Sequence, residues 1–435
     1  MNFGRLLISV SFFRILNLLV IFLINILLTR MVGVAGYGIF SLILVNAAIL
    51  NMILSFGVDG SITYNLSSRR LQFKKIYSIV IAVFLLQIII TAIIEYISWL
   101  TTKKSWIGQS ISLSELYFGV LYLLSLSVID KYSSFYYGKQ LFNLPNISLL
   151  AGNLLILAFL GYFYFESGAT EIVKWFILLQ SIAALIHVFI FHLRTKELPA
   201  FSWVTKKDLK VFFHYSSLAF IINIVQFLAY RVDYWFLDYY SDGQQLGWYS
   251  LATRITQFFW ILPSLYASIL LPKIADTEQH FATEKLLSLM RITNAIAFVG
   301  IIILFITSGW LIPFLFGSEY DYSSLLIKIL LPGVFIFCAS NLIAAYYAGK
   351  GKLGINLLGS GFALASIIIL DVLLIPGYAA KGAAIAASAS YSVTTLYFVI
   401  IFCRDNKLSP ASIFIPKKED WNRSFNLFKI KSVKI

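Results

Sequence analysis

Charged residues and cysteines are both scarce in this chain of 435 residues. Asp, Glu, Lys and Arg together make up only 12% of the sequence, whereas about a quarter is typical of a soluble domain. This shortage excludes an ordinary soluble globular protein. The two cysteines, Cys338 and Cys403, both fall in apolar stretches, so the sequence encodes no disulfide framework and both are expected to be packing residues.

Long apolar segments take the place of the missing charge. Hydrophobic residues make up 60% of the chain, and the mean hydropathy is +0.85. Runs of about 20 apolar residues, the length that a helix needs to cross the hydrocarbon core of a bilayer, recur from Leu6 to Phe402. We therefore predict an all-α polytopic membrane protein with about 12 transmembrane helices. The predicted spans lie near Leu6–Leu28, Gly38–Val58, Ile76–Ile94, Leu116–Tyr137, Ile147–Phe165, Ile172–Leu193, Val211–Leu237, Trp248–Leu271, Ile292–Phe316, Leu325–Ala348, Gly354–Ile375 and Gly382–Phe402.

The positions of lysine and arginine predict the orientation. Cytoplasmic loops retain an excess of these residues, and most of the 34 in this chain lie in every second loop and in the two termini. The opposite loops hold only Arg30, Lys103, Lys104 and Lys381. Both termini are therefore predicted to be cytoplasmic, and topology explains the net charge of +14 better than a nucleic-acid partner does. No signal-peptide cleavage pattern follows the first apolar segment, so we expect a retained helix.

A short internal repeat predicts the domain organisation. Residues 38–42 read Gly-Ile-Phe-Ser-Leu, and residues 247–251, about half the chain later, read Gly-Trp-Tyr-Ser-Leu. The match predicts two six-helix lobes, 1–203 and 204–403, as a parallel repeat about a pseudo-twofold axis with a central cavity. A basic cytoplasmic tail, 404–435, follows. Two interpretations of the tail stay open: contact with the anionic inner leaflet and membrane lipids, or solvation alone.

Polar side chains form stripes on the first, seventh and eighth predicted helices. Placing one arginine or aspartate at a helix centre costs about 2.5 to 3.5 kcal/mol in a bilayer, so several of them predict a polar cavity or mutual pairing. A helical wheel groups Arg14 with Asn17 and Asn25, Asn223 with Gln226 and Asp233, and Arg254 with Gln257, whereas Arg231 lies on a different face from Asp233. The predicted cavity-lining residues are Arg14, Asn17, Asn25, Asn223, Gln226, Arg231, Arg254 and Gln257.

Each of the three arginines can also be interpreted in a second way, without contact to a ligand. Arg14 is close enough to the cytoplasmic end of its helix to snorkel to the headgroups. For Arg231, an ion pair with Asp233 or a neighbouring helix is as good an interpretation as ligand contact, and for Arg254 the alternative is packing. Pro263 follows Arg254 in the same helix and should free the carbonyl of Phe259, which favours a kink.

Two carboxylates lie inside predicted spans, Asp233 and Asp371. A carboxylate in a low-dielectric setting can exchange a proton or hold Na⁺, so both are candidates for ion coupling. The alternative is a salt bridge that holds helices together. His187 stands alone on an apolar helix and is expected to be a satisfied packing histidine. No pattern of catalytic residues, metal ligands or cofactor-binding residues is present.

Three segments resemble a known family. Residues 27–33, Leu-Leu-Thr-Arg-Met-Val-Gly, lead into Gly-Tyr-Gly-Ile-Phe-Ser-Leu at 36–42. Residues 231–234, Arg-Val-Asp-Tyr, precede Leu-Gly-Trp-Tyr-Ser-Leu-Ala at 246–252, and Leu-Leu-Ile-Pro at 373–376 precedes Lys-Gly-Ala-Ala-Ile-Ala at 381–386. These segments resemble the polysaccharide transporters known as Wzx-type O-antigen flippases, within the multidrug/oligosaccharidyl-lipid/polysaccharide superfamily.

The resemblance implies a multi-pass protein of the bacterial inner membrane with a cationic central cavity. Its cargo would be an oligosaccharide repeat unit on undecaprenyl pyrophosphate, flipped from the cytoplasmic to the periplasmic leaflet for O-antigen polymerisation. The partners implied are the polysaccharide polymerase and chain-length regulator. Asp238 and Asp371 stand where neutral residues are expected in the family, so a coupling role for them does not follow from the resemblance.

The resulting hypothesis is alternating access, coupled to H⁺ or Na⁺ antiport, in a protein that is not an enzyme. The alternative transporter is a cation-coupled multidrug exporter of the same superfamily, but cationic cargo favours an acidic cavity rather than arginines. The alternative from another class is a membrane glycosyltransferase or O-antigen polymerase. That class needs a sizeable charged loop outside the membrane, whereas the longest outer gap, Glu95 to Ser114, has few charges.

Overall fold

The computed structural model describes residues 3–102, 113–164, 169–197, 199–214, 217–264, 266–267, 283–417 and 419–420. Over these residues the regular structure is helical and no β-strand occurs. The chain forms two compact units, the first from Phe3 to Ile224 and the second beginning at Val225. The predicted lobe boundary at 203/204 stays a prediction.

Seven helices make up most of the first unit. In chain order they are α1 (Phe3–Ser55), α2 (Val58–Ser67), α3 (Phe73–Thr102), α4 (Leu113–Gly138), α5 (Asn143–Tyr162), α6 (Ala169–Thr195) and α7 (Lys206–His214).

The helix α1 contains the first predicted span and most of the second, which a kink rather than a loop separates. Gly33 lies at the kink with φ 69°, a left-handed conformation that glycine adopts without steric penalty. The helix ends at Ser55, and Phe56 and Gly57, with φ 47° and 70°, break the chain direction before α2. The first two predicted crossings therefore lie within one nearly continuous helix, and the kink at Gly33 separates them.

Aromatic side chains fill the core where α2, α3, α4, α6 and α7 meet. The ring of Phe135 lies 5.4 Å from that of Phe73 and 5.8 Å from that of Phe191. Phe212 of α7 is fully buried in the same cluster, and its carbonyl oxygen accepts a hydrogen bond of 2.5 Å from the hydroxyl of Ser61. The amphipathic helix α7 therefore belongs to the first unit.

The predicted start of the seventh span at Val211 was wrong. Val211 lies in α7, and the next helix begins at Ser217. Val211 thus belongs to a separate short helix, whose first turn is capped by the Asp208 carboxylate; this carboxylate accepts hydrogen bonds from the backbone N–H of Thr205 at 2.9 Å and from Lys75 Nζ at 3.0 Å. These contacts, the Thr205 N–H first, lower the pKa of Asp208 to about 2.

The second unit contains the remaining helices. The helix α8 (Ser217–Tyr240) begins in the first unit and continues into the second. After it come α9 (Gly243–Gln257), a 3₁₀ turn (Phe258–Trp260), α10 (Thr283–Phe316), α11 (Asp321–Gly349), α12 (Leu353–Asn406) and the short α13 (Ala411–Phe414).

The helix α12 covers the two last predicted spans. Its backbone departs from helical geometry at Ala379, with φ 44°, three residues after Pro376. Proline removes a helical hydrogen bond and accounts for a kink at this place. Beyond the kink, Ala383 and Ala387 are fully buried, as expected for small residues that permit close helix contact.

Close packing joins α11 to α12. The backbone N–H of Gly333 donates a hydrogen bond of 3.0 Å to Oγ of Ser388. A Cβ atom at position 333 would lie 2.6 Å from the backbone of Ser388, so only glycine fits. Cys338 and Cys403 are both free and buried, which confirms that they are packing residues.

Seven helices of the described part are long and apolar enough to cross a membrane. Two of these segments, Phe12–Ser55 with 44 residues and Leu353–Asn406 with 54, are kinked. At 1.5 Å per residue each is long enough for two crossings of a core of about 30 Å. The prediction of an all-α polytopic membrane protein is confirmed.

A buried ion pair fastens the start of the C-terminal tail to α10. The guanidinium of Arg291 makes two hydrogen bonds of 2.7 Å to the carboxylate of Asp420, and both side chains are almost fully buried. Arg291 also donates to the carbonyl of Ser412 at 3.2 Å. The tail residues 418 and 421–435, whose contact with the leaflet is one of the open interpretations, lie outside the described residues.

Candidate functional site

Arg231 and Gln257 come together in the second unit. Nη2 of Arg231, on α8, donates a hydrogen bond of 3.1 Å to Oε1 of Gln257 at the end of α9. Nη1 donates to the hydroxyl of Tyr234 at 3.2 Å, and the guanidinium lies 5.3 Å from the centre of that ring. The side chain is only partly buried. Two of the predicted cavity residues are thus in direct contact.

No carboxylate within the described ranges lies at ion-pair distance from Arg231. The alternative of an ion pair with Asp233 is therefore not formed, because Asp233 points to Tyr249 instead. A guanidinium held by a tyrosine and an amide keeps its full positive charge. Such a group is suited to bind a phosphate through paired N–H donors.

Asp233 and Asp371 are also brought together, close enough for their charges to interact. Asp233 accepts hydrogen bonds from the backbone N–H of Tyr234 at 2.9 Å and from the hydroxyl of Tyr249. Asp371 of α12 is 0% exposed, and neither of its carboxylate oxygens has a hydrogen-bond partner in the part of the chain that the structure describes. The two ion-coupling candidates form a buried carboxylate pair.

An aromatic cluster lies beside Arg231. The ring of Tyr230 lies 5.4 Å from that of Trp260 and 6.3 Å from that of Tyr391, and Trp260 lies 5.0 Å from Phe337. Gln226, a predicted cavity residue, donates a hydrogen bond of 2.8 Å to the Tyr230 hydroxyl. Sequence reasoning missed Trp260, Phe337 and Tyr391, because nothing in their spacing distinguishes them from other aromatic residues of membrane helices.

Arg254 lies on α9, partly exposed, in the turn before Gln257. The 3₁₀ turn Phe258–Trp260 follows, and Sγ of Cys338 lies 3.8 Å from the carbonyl oxygen of Phe259. The expected departure from regular helix before Pro263 is confirmed. The role of Arg254 in binding stays a prediction.

The candidates of the first unit have different surroundings. Arg14 on α1 and Asn223 on α8 are exposed. Asn17 accepts a hydrogen bond of 2.8 Å from Nδ2 of Asn153, and buried Asn25 accepts one of 3.1 Å from the hydroxyl of Tyr37. Asn17 and Asn25 therefore join helix segments of this unit, and ligand contact by any of the four stays a prediction.

Sequence reasoning also missed a buried cation in the first unit. Lys131 of α4 is 2% exposed. Its Nζ donates to Oγ of Ser127 at 2.6 Å and to Oε1 of Gln87 at 2.9 Å. The signal in the sequence is the adjacent pair Asp130 and Lys131 inside the predicted span Leu116–Tyr137. His187 is confirmed as a packing histidine, since Ser148 Oγ lies 2.6 Å from its Nδ1.

A metal site built from several ligands is not found in the described ranges. No group of three or more His, Cys, Asp or Glu side chains there could hold a metal ion.

A family model described as "Polysaccharide biosynthesis protein" matches residues 4–278. The chain belongs to this family. "Capsular polysaccharide biosynthesis protein CapF" of Staphylococcus aureus is 25% identical over 167 residues, 37% of this chain and 41% of CapF. "Probable low-salt glycan biosynthesis flippase Agl15" of Haloferax volcanii is 22% identical over 199 residues, 44% of this chain and 41% of Agl15. The matched part of the chain thus spans about two fifths of the length of these relatives.

Solved structures share the fold. The lipid II flippase MurJ in an inward closed conformation matches with a TM-score of 0.69 at 17% identity, over 98% of this chain and 92% of MurJ. An inward-facing multidrug resistance MATE family transporter matches with a TM-score of 0.67 at 11% identity, over 95% of this chain and 96% of that transporter. The resemblance to polysaccharide flippases is confirmed by the family, whereas these two structures show the fold alone.

Proposed function

We propose that this protein flips undecaprenyl-pyrophosphate-linked O-antigen repeat units from the cytoplasmic to the periplasmic leaflet of a bacterial inner membrane by alternating access. Membership of the polysaccharide biosynthesis family supports a lipid-linked glycan as cargo. The observation that carries the proposal is the Arg231 guanidinium, which lies in an apolar helix and whose hydrogen bonds go to the neutral side chains of Tyr234 and Gln257.

The chemistry of the Arg231 group fits a pyrophosphate head. Guanidinium N–H groups match the oxygens of a phosphate in pairs, and they keep their charge at every physiological pH. Gln257 and Tyr234 fix the plane of the guanidinium from one side. The neighbouring aromatic cluster and Gln226 supply apolar faces and an amide, the combination with which proteins bind small polar ligands.

We further propose that the Asp233–Asp371 pair couples transport to H⁺ or Na⁺. An ionised carboxylate buried without hydrogen-bond donors is strongly disfavoured, so Asp371 carries a proton or binds a cation. Exchange of that ion changes the charge next to Asp233, and Asp233 is linked through Tyr249 to the first turns of α9. Ion exchange can thereby act on the two helices that hold Arg231 and Gln257.

The function is tested by deleting the gene in the source bacterium and restoring it on a plasmid. We expect the deletion to abolish surface polysaccharide and to leave lipid-linked repeat units accumulating in the membrane, with the wild-type gene reversing both. Normal surface polysaccharide in the deletion strain would contradict the proposal. Increased sensitivity to cationic dyes with unchanged polysaccharide would instead favour the exporter.

Both termini lie in the cytoplasm, and the polysaccharide polymerase and chain-length regulator act on the flipped product at the other face. A reporter fused to either terminus tests the orientation, because alkaline phosphatase is active only outside the cytoplasm.

A further inference from the structure

A cavity of about 560 Å³ opens on one end of the first unit. It lies where α2 and α4 end, where α3 begins, and where the chain leaves α6. None of the residues predicted to contact cargo lines it. The lining residues that bear on its chemistry are Arg69, Gln72, Phe73, Lys139, Gln140 and Glu197.

Of the two cationic side chains that line the cavity, Lys139 is paired with a carboxylate, whereas Arg69 is not paired with one among the described residues. Lys139 Nζ forms an ion pair of 2.5 Å with Oε1 of Glu197 and lies 5.3 Å from the centre of the Phe73 ring. Arg69 is exposed, and within the residues that the structure describes no carboxylate lies at ion-pair distance from it. The cavity therefore keeps one uncompensated cation, with two neutral amides, Gln72 and Gln140, on the same lining.

Two of these side chains are held on a strained backbone. Arg69 and Gln140 follow the ends of α2 and α4 with φ values of 53° and 61°. Glycine is the usual residue in this left-handed position after a helix, because a Cβ atom is sterically disfavoured there. The backbone at both positions therefore favours glycine, yet each position carries a polar residue that lines the cavity.

The cavity lies at the start of a helix long and apolar enough to cross a membrane, which is where lipid headgroups are expected. Phe73, on its lining, is the first residue of the membrane-crossing helix α3. The chain that follows Glu197 packs on the start of α3, where the ring of Phe201 lies 5.9 Å from that of Tyr77. On this stretch Phe201 is 71% and Trp203 87% exposed. Exposed aromatic residues of this kind are typical of the membrane interface.

The surroundings are basic. Five basic residues are exposed on the loop before α3, at the start of α3 and on α7, which the lysine and arginine pattern assigns to the cytoplasmic face: Arg70, Lys74, Lys206, Lys207 and Lys210. Clusters of this kind attract anionic headgroups of the inner leaflet. The electrostatic attraction of these basic residues therefore concentrates phosphate groups at this surface, and the cavity is one place where a phosphate can bind.

We propose that this cavity binds a lipid-borne phosphate, with Arg69 as its cation and the side-chain amides of Gln72 and Gln140 as further donors. Glu197 limits the affinity, because it neutralises Lys139. The phosphate comes either from an acidic phospholipid or from a polyprenyl diphosphate. The inference does not rest on transport, since binding at Arg69 is measured on the resting protein.

The test measures the affinity of dioctanoyl phosphatidic acid for the full chain in a neutral detergent, with native mass spectrometry as the readout. Farnesyl diphosphate and inorganic phosphate are measured in parallel. Loss of a charge-assisted hydrogen bond is expected to weaken binding about tenfold in Arg69→Gln. Arg69→Gly should weaken it equally while favouring the left-handed backbone, so that loss of folding is not the cause.

Arg70→Gln is the matched control. It removes the same charge from the adjacent position, where the Arg70 guanidinium lies 5.0 Å from the centre of the Tyr64 ring and outside the cavity lining. We expect the affinity of Arg70→Gln to stay within about twofold of the wild type, because this variant changes only the screened electrostatic field at the surface. Glu197→Gln should tighten binding several-fold by releasing Lys139.

The outcomes separate the two sources of the phosphate. Tighter binding of dioctanoyl phosphatidic acid supports a phospholipid, and tighter binding of farnesyl diphosphate supports a polyprenyl diphosphate. Equal binding of inorganic phosphate would overturn the proposal that the ligand is lipid-borne. Equal losses in Arg69→Gln and Arg70→Gln, or no gain in Glu197→Gln, would overturn the cavity as the site.

Discussion

The guanidinium of Arg231 donates a hydrogen bond of 3.1 Å to the side-chain oxygen of Gln257, which links the middle of α8 to the end of α9. Both residues are partly buried, and neither is engaged with a carboxylate among the described residues. The contact fixes a positive charge without neutralising it. This arrangement distinguishes Arg231 from Arg291, whose charge is fully matched by Asp420.

The Arg231 contact predicts graded losses of activity in cells. Arg231→Gln should abolish surface polysaccharide, because no cation remains for the pyrophosphate. Arg231→Lys should restore it only in part, since an ammonium is a point charge that cannot bind phosphate with paired N–H donors. Gln257→Leu should lower the yield less than Arg231→Gln. Equal surface polysaccharide in wild type and Arg231→Gln, at equal protein level, would contradict the assignment.

The carboxylate pair predicts a change in ion dependence. Asp371→Asn mimics the protonated carboxylate and should make translocation in vesicles insensitive to an imposed pH or Na⁺ gradient. Tyr249→Phe is the companion variant, because it removes the hydroxyl that donates to Asp233 and leaves Asp371 unchanged. It should lower the rate but preserve the gradient dependence. A gradient response in Asp371→Asn equal to that of wild type would remove Asp371 from the coupling mechanism.

The Arg291–Asp420 pair predicts a loss of stability. Removing one partner of a buried ion pair leaves an uncompensated charge and typically costs about 3 to 5 kcal/mol, so Asp420→Asn should markedly lower the unfolding temperature in detergent. Glu284→Gln is the control, since its carboxylate is 3.9 Å from Arg291 and mostly exposed. A small effect of Asp420→Asn, equal to that of Glu284→Gln, would show that the tail does not contribute to the fold.

The close approach of α11 and α12 predicts opposite effects of two glycine substitutions. Gly333→Ala should destabilise the protein by about 1 to 3 kcal/mol, because the new methyl group overlaps the backbone of Ser388. Gly361→Ala, on α12, meets no atom within 4 Å and should stabilise it by about 0.5 to 1 kcal/mol through higher helix propensity. Thermal unfolding of the two variants in the same detergent measures both; a stable Gly333→Ala protein would argue against the close helix contact.

The cap of α7 predicts a pH dependence. The pKa of Asp208 is lowered to about 2 by the Thr205 N–H and by Lys75, so the contribution of the cap is present above the usual pKa of about 3.9 and is lost as the pH falls through 2. Hydrogen exchange of the α7 amides should be faster in Asp208→Asn than in wild type at neutral pH. The difference should shrink towards pH 2, and an equal difference at both pH values would contradict the role of ionised Asp208.

The fold class followed from hydrophobic pattern alone, because lipid leaves few alternatives to apolar helices for a chain of this composition. The pattern did not distinguish a loop from a kink, so the breaks at Gly33 and Ala379 were expected as turns between separate helices. The hydrophobic pattern also merged α7 with the next predicted span. Hydrophobic periodicity does not show that α7 is a separate helix, capped by Asp208 and held to α3 through Lys75.

The candidate site was predicted as a set of residues but not as a set of contacts. Arg231 and Gln257 stood out because charged and amide side chains are costly in an apolar helix. The link between Tyr249 and Asp233 and the pairing of Asp233 with Asp371 depend on tertiary packing, which spacing along one helix does not encode. For the same reason the sequence does not predict the pairing of Arg291 with Asp420, which lies 129 residues away.

The central claim is that the protein moves a pyrophosphate-linked oligosaccharide by binding it at Arg231. The direct measurement is the initial rate at which a lipid-linked repeat unit becomes accessible on the far side of reconstituted vesicles, for the wild-type protein and for Arg231→Gln. We predict protein-dependent translocation by the wild type and a rate at the level of protein-free vesicles for the variant. No translocation above protein-free vesicles by the wild type, or equal rates for the two proteins, would contradict the account.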